Sequence, residues 1–260
     1  MTGKTEPLPH ATGPALPASR RGGWIGIAAG LVGIAILCGL GSWQIQRLHW
    51  KEALLATIDQ RVHAAPESLD AVAARAAAGD DVDYRPVTMQ GQYLNAYERY
   101  FLATYEGDAG WNVFTPFLTD DERLVFVNRG FVPYALRDPS RRPDSQIEGE
   151  TVVTGLARNA PTQKPDWFLP DNDTAEGTFF WRSVGDMAKG VEVSAAAQIL
   201  PFTVDAALGS DPKRLPIGGQ TIIDLPNDHL QYAITWYGLA LGLAGVLIAV
   251  WIKRRRAREP

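Results

Sequence analysis

Sulfur is scarce in this chain. Its 260 residues include one cysteine, Cys38, and three methionines. Cys38 falls inside an apolar run, so the rest of the chain can form neither a disulfide nor a thiolate metal site. Between the two apolar runs described below the only methionines are Met89 and Met187, which excludes a Met-rich copper carrier. The common catalytic signatures are absent too. There is no Gly-x-Ser-x-Gly turn, no His-Glu-x-x-His helix and no phosphate-binding glycine loop. Asp171-Asn172-Asp173 lacks the Gly and the closing Glu of a calcium loop. Of the four histidines, His10 lies near the N-terminus and His49 and His229 flank the apolar runs. That leaves His63 as the lone candidate base, and its place on a predicted helix reads first as structural.

What the chain does have is two long apolar segments. Residues 233 to 252 carry no charge. At about 1.5 Å per residue, about 20 residues match a hydrocarbon layer of roughly 30 Å. Lys253, Arg254, Arg255, Arg256 and Arg258 follow directly. The first segment, Trp24 to Ile45, sits between Arg20-Arg21 and Arg47 with Lys51. It is longer than a signal-peptide core and has no small-residue cleavage site before Trp43, so it reads as a retained anchor. By the positive-inside rule both termini are expected in the cytoplasm. Gly22, Gly26, Gly30, Gly33 and Gly41 form a stripe on the first segment, and Gly238, Gly242 and Gly245 form another on the second. Such stripes let helices approach closely in lipid, which predicts a hairpin. If the second stripe met the first helix, the face of His229, Tyr232 and Trp236 would point elsewhere.

Between the segments, residues 46–230 hold 17 Lys and Arg against 27 Asp and Glu. A balance of −10 argues against nucleic acid as a partner. Helical periodicity covers Trp50 to Ala64 and Pro66 to Ala78. Seven short β-branched and aromatic runs follow, at Tyr84 to Leu94, Arg99 to Thr104, Trp111 to Leu118, Leu124 to Asn128, Thr151 to Arg158, Thr178 to Ser183 and Ile199 to Val204. Turn residues separate them, which predicts a barrel or sandwich. The expected architecture is a membrane protein in which a two-helix transmembrane hairpin flanks a mainly β, α+β extracytoplasmic domain. Its parts are a disordered cytoplasmic tail (1–22), a first transmembrane helix (23–45), the β-rich domain (46–230) with a helical segment at 50–78, a second transmembrane helix (231–252) and a basic cytoplasmic tail (253–260). Arg85 and Arg129 read as partners of nearby carboxylates, and Trp111, Trp167 and Trp181 as packing residues.

Several short motifs occur in a characteristic order. Gly41-Ser42-Trp43-Gln44 with Arg47 and Trp50-Lys51 comes first, then Tyr84-Arg85-Pro86-Val87 with Gly91. Gly110-Trp111 with Thr115-Pro116 follows, then Val127-Asn128-Arg129-Gly130-Phe131-Val132-Pro133, and last His229-Leu230 with Tyr232-Ala233 and Thr235-Trp236-Tyr237. In order, spacing and placement the chain resembles the surfeit-locus (Shy) family of cytochrome oxidase assembly factors. Asp228 departs from the pattern, since relatives often carry Asn there.

The resemblance implies a non-catalytic factor that holds haem a for insertion into the catalytic subunit of a haem-copper oxidase, with haem a synthase as a further partner. It maps the family's haem-linked histidine onto His229. Imidazole is a common axial ligand of haem iron, and Tyr232 and Trp236 would offer faces to a porphyrin. On residue types alone, a helix-orienting His within an interfacial aromatic belt is the commoner reading. Arg47 and Lys51, four apart, are candidate partners for the propionates, with contact to lipid headgroups as the alternative. His49 is not required by the motif and reads as a surface residue. The expected location is a bacterial inner membrane with the β domain in the periplasm, and the lipid bilayer itself as a partner.

Overall fold

The computed structural model describes residues 20–223 and 225–257, with side chains from Trp24. The tail expected over 1–22 lies outside the described residues as far as residue 19, as do residues 258–260 of the basic tail. Two compact units form the chain. One comprises the chain up to Ala53 together with that from Pro226 onward, and the other is Leu54–Leu225.

The first unit is built on α1 (Arg20–Val62) and α4 (His229–Arg256). Both are long and apolar enough to cross a membrane, with mean hydropathy of 2.2 and 2.0 in their most apolar windows. Only 6% and 11% of those windows is buried by protein. A core helix of a water-soluble domain would be mostly covered, so these helices present apolar side chains to a nonaqueous environment. The basic residues Lys253 to Arg256 occupy the last turn of α4, where they meet the negative end of the helix dipole.

The helices pack antiparallel over the glycines of α1. A methyl group added to Gly30 would come within 2.6 Å of Leu247, one on Gly33 within 3.1 Å of Leu243, and one on Gly41 within 2.8 Å of the Tyr237 ring. Ala233 and Ala240 are buried at the same seam. On α4 the inward positions His229, Ala233, Trp236, Ala240, Leu243 and Leu247 alternate spacings of four and three, the period of a left-handed helix pair.

The stripe of α4 corrects the expectation for that helix. Gly238, Gly242 and Gly245 have nothing within 4 Å of an added methyl and lie on the face away from α1. Glycine facing glycine would have left a void. Here α1 supplies the recesses and the larger side chains of α4 fill them. The helix of the first span continues without a break through the helical segment expected from Trp50 and ends at Val62. Pro66 is the first residue that cannot continue it.

In the second unit a ring of strands closes on itself. Strand β2 (Pro86–Tyr93) pairs with both β6 (Glu150–Asn159) and β4 (Asp108–Thr119). β8 (Gln198–Ala206) joins β6 to β5 (Arg123–Pro133), and β5 returns to β4. The β5 to β8 pairing is parallel. Outside the ring, β3 (Arg99–Tyr105) and the short β7 (Thr178–Phe179) extend the sheet beyond β4. The two-residue β1 (Glu67–Ser68) lies along β2 and leads into α2 (Leu69–Ala77), which Ser68 caps. The sequence alone gave no sign of β1. A barrel rather than a sandwich is the outcome.

Its interior is filled by Val87, Met89, Phe117, Val125, Val127, Phe202 and Val204, with Leu69 and Val72 of α2 packed against them. Alternate residues of β5, Leu124 and Phe126, face the other way into a second cluster with Phe101, Phe114, Phe179 and Met187. Met187 ends the short α3 (Val184–Met187). β5 is therefore covered on both faces and reads as a nearly unbroken apolar run. Trp111 packs in a third cluster, whereas Trp167 is 91% exposed and meets Phe168 edge to face.

Within β5 the ladder carries a bulge. Val113 pairs with Gly130 and Phe114 with Asn128, which leaves Arg129 without a cross-strand partner. Gly130 has φ +119, and an added methyl would stand 1.9 Å from the Ile217 carbonyl oxygen. That carbonyl accepts from the Phe131 N–H at 2.9 Å. Gly130→Ala is expected to lower domain stability by about 3 kcal/mol or more, combining left-handed strain with a backbone clash. Gly79→Ala, at φ +83 in open space, should cost on the order of 1 kcal/mol. Urea midpoints of the two variants check the ranking.

Within the second unit Asp81 joins the last turn of α1 to the end of β6, accepting from Arg61 Nη1 at 2.7 Å and Asn159 Nδ2 at 2.7 Å. Partial burial alone would raise its pKa, but these bonds and one from the Asp83 N–H hold it below the ordinary value of 3.8. A depressed folded pKa contributes stability above about pH 4, lost as pH falls through the folded value. Asp81→Asn should flatten that acid limb in pH-dependent urea unfolding.

Candidate functional site

α4 begins at His229. Asp228 precedes it with φ −93 and ψ 6 and makes no side-chain cap, so the local chain does not use Asp228 to close the helix end. The His229 ring is engaged elsewhere in the first unit, with Nδ1 2.8 Å from Gln44 Oε1 on α1. An amide oxygen only accepts, so Nδ1 carries the proton and donates. In the neutral ring the other nitrogen, Nε2, then keeps its lone pair. Metal-bound histidines are commonly oriented in this way, by a bond from the far nitrogen to a fixed acceptor. Gln44 is a firm acceptor, being 9% exposed at the seam.

The other expected residues divide. Trp236 is half-buried two turns along from His229 on the same face, whereas Tyr232 is exposed. Arg47 lies one turn beyond Gln44 with its guanidinium carbon 3.9 Å from the centroid of the Trp50 ring, a cation–π contact. Lys51 is half-buried two turns from Gln44. His49 falls about 140° around α1 from Gln44 and pairs with Glu52 at 3.3 Å. His63, in the second unit, is exposed and bonds to Asp59. A groove of about 400 Å³ bordered by Asn227, Leu230, Gln231 and Ile234 lies on the side of α4 away from His229. Among the described residues no group of three or more His, Cys, Asp or Glu is placed to hold a bare metal ion. The donor set is one imidazole, which suits an iron already surrounded by porphyrin nitrogens.

Gln44, which contacts the His229 ring, is the residue that the sequence reading left out of the candidate site. Its signal was present, since a polar amide inside an apolar span is costly unless it finds a partner. Tyr237 gives a second such pair, its hydroxyl 2.9 Å from Ser42 Oγ. Imidazole 15N chemical shifts should show the His229 ring protonated at Nδ1 with Nε2 bare. Gln44→Leu should return it to a tautomer mixture, and an unchanged spectrum in that variant would refute the orientation by Gln44.

The SURF1 family model matches residues 31–241, from within α1 to the middle of α4 and through the whole barrel. "Surfeit locus protein 1" of Takifugu rubripes is 35% identical over 233 residues, covering 83% of this chain and 92% of the relative. The protein of that name from Homo sapiens is 34% identical, covering 83% and 73%. A "SURF1-like protein" of Monosiga brevicollis is 34% identical over 253 residues, covering 92% and 90%. Such agreement over both helices and the domain between them means that the chain belongs to the SURF1 family, the surfeit-locus family its motifs resemble.

Proposed function

We propose that this membrane protein acts in the assembly of a haem-copper terminal oxidase, without catalytic turnover, by holding haem a until the catalytic subunit takes it. The observation that carries the reading is the His229 ring, held at Nδ1 by Gln44 at 2.8 Å, which in the neutral imidazole leaves Nε2 as the nitrogen to ligate iron. A single axial ligand suits transient holding, because cargo bound too tightly would not pass to the recipient. Trp236 on the same face and Tyr232 beside it offer aromatic surface to the macrocycle. Arg47 and Lys51 offer positive charge to its carboxylates. The proposed setting is an inner membrane of a bacterium, with the barrel on the periplasmic side and the Lys253 to Arg256 end of α4 in the cytoplasm. The catalytic subunit is the proposed recipient and haem a synthase the proposed donor.

A second reading, a scaffold that stabilises an oxidase intermediate without haem, draws on the outward face of α4. There Gly238, Gly242 and Gly245 leave open space against which another helix can pack.

One experiment separates the two. The protein is purified in detergent after co-expression with the enzymes of haem a synthesis, as wild type and as His229→Ala. Holding through His229 gives Soret and α bands in the wild type and their loss in the variant. Gln44→Leu should weaken retention by about tenfold to a hundredfold. Bands that survive His229→Ala move the ligand elsewhere. No bands in either protein, with haem a present in the cells, leave the scaffold.

A further inference from the structure

The motif Asn128-Arg129-Gly130 has no part in the haem reading, yet the barrel is distorted around it. The bulge leaves Arg129 outside the ladder, and bulges of this kind redirect a side chain. Asn128 holds the distortion in place. Its Oδ1 accepts from the Gly130 N–H at 3.1 Å and its Nδ2 donates to Asp205 at 3.0 Å.

The redirected Arg129 is buried, its side chain 5% exposed. Its guanidinium lies 4.6 Å over the Tyr93 ring, donates through Nη2 to the Ser145 carbonyl and reaches Asn95 Oδ1 at 3.3 Å. The nearest carboxylate, Glu98, is 3.7 Å away, but that group is already committed. It is paired at both oxygens with Arg142, with the Nη1 bond 3.1 Å long, and accepts from the Tyr100 hydroxyl at 2.7 Å and from Gln146 at 3.1 Å. Among the described residues, two buried guanidiniums thus share one buried carboxylate. Burial draws the pKa of Arg129 below its ordinary value, and Arg142 and Arg214 push the same way against Tyr93 and Glu98. A desolvated cation without its own anion is costly, and such a cost calls for a compensating partner.

A cavity of about 370 Å³ adjoins this charge, lined by Arg129, Tyr93, Ser145, Val153, Leu208 and Arg214 among others. Its size is at the lower end for small-molecule sites. Arg214 is exposed at the rim, donates to the Asp144 carbonyl at 3.3 Å and forms no ion pair among the described residues. The rim carboxylate, Asp211, is turned onto the Lys213 N–H at 2.9 Å.

We propose that this cavity binds a small molecule bearing one anionic group, a carboxylate or a phosphate. Arg129 and Arg214 hold the anion, and Val153 and Leu208 contact an apolar body. The site is independent of His229 and stands or falls without the haem reading.

The test follows thermal unfolding of the full chain in uncharged detergent. Low-millimolar sodium phosphate and sodium butyrate are titrated separately against chloride at equal ionic strength. A saturable rise of the midpoint in either series is expected, and the series that responds identifies the anion. Arg214→Gln, at an exposed rim position, should raise the half-saturating concentration about tenfold or more. Arg129→Met should abolish the response while unfolding at a higher midpoint than the wild type without ligand. No saturable response to either ion, or an equal response in both variants, overturns the proposal.

Discussion

Close approach of two backbones is the constraint on which the membrane unit depends. Lipid offers no hydrogen bonds, so every polar side chain between α1 and α4 must find its partner across the seam. Gly30, Gly33 and Gly41 bring the helices near enough for large α4 side chains to seat. Ser42 then reaches Tyr237, and Gln44 reaches His229. The candidate ligand is therefore set by helix packing, with its ring oriented from the opposite helix and not from its own. Substitutions far from His229 along the seam can act on it through that packing.

The barrel solves a different problem with similar economy of parts. Its central strand, β5, is covered on both faces by separate apolar clusters, so it cannot shift register without exposing one of them. That rigidity is what allows one extra residue, Arg129, to be carried as a bulge. The same segment returns to the 217 region through paired bonds between Phe131 and Ile217. The strain at Gly130 and the buried charge at Arg129 are neighbours, held by a strand whose surroundings over-determine its path.

Much of this was legible in the sequence. The spans showed as uncharged runs, and most strands showed as aromatic and β-branched stretches between turn residues. The α1 stripe showed as glycines at helical spacing, of which Gly30, Gly33 and Gly41 do meet α4. What could not be read was which face of α4 turns inward, because glycine spacing does not distinguish a helix that supplies recesses from one that fills them. The direction of His229 hung on that choice of face: with the α4 glycines turned outward, the histidine meets α1. Gln44 went unassigned for the same reason. The bulge was hidden because Val127 to Pro133 reads as one continuous strand, and an extra residue in a ladder appears only once its partner strand is known. Arg129 does pair with a carboxylate, as its residue type suggested, at 3.7 Å from Glu98, but nothing in the sequence shows that Arg142 shares that carboxylate.

The position of β8 in the ring sets an order of events during synthesis. It lies between β6 and β5, yet it is the last strand to leave the ribosome. β2, β4, β5 and β6 are complete by Asn159, but the ring cannot close until Ala206 has emerged. Until then the edges of β5 and β6 are unpaired, with α1 already made and α4 still to come. The nascent domain therefore passes through a stage with two open strand edges, in which it is most exposed to aggregation or in need of a holding chaperone.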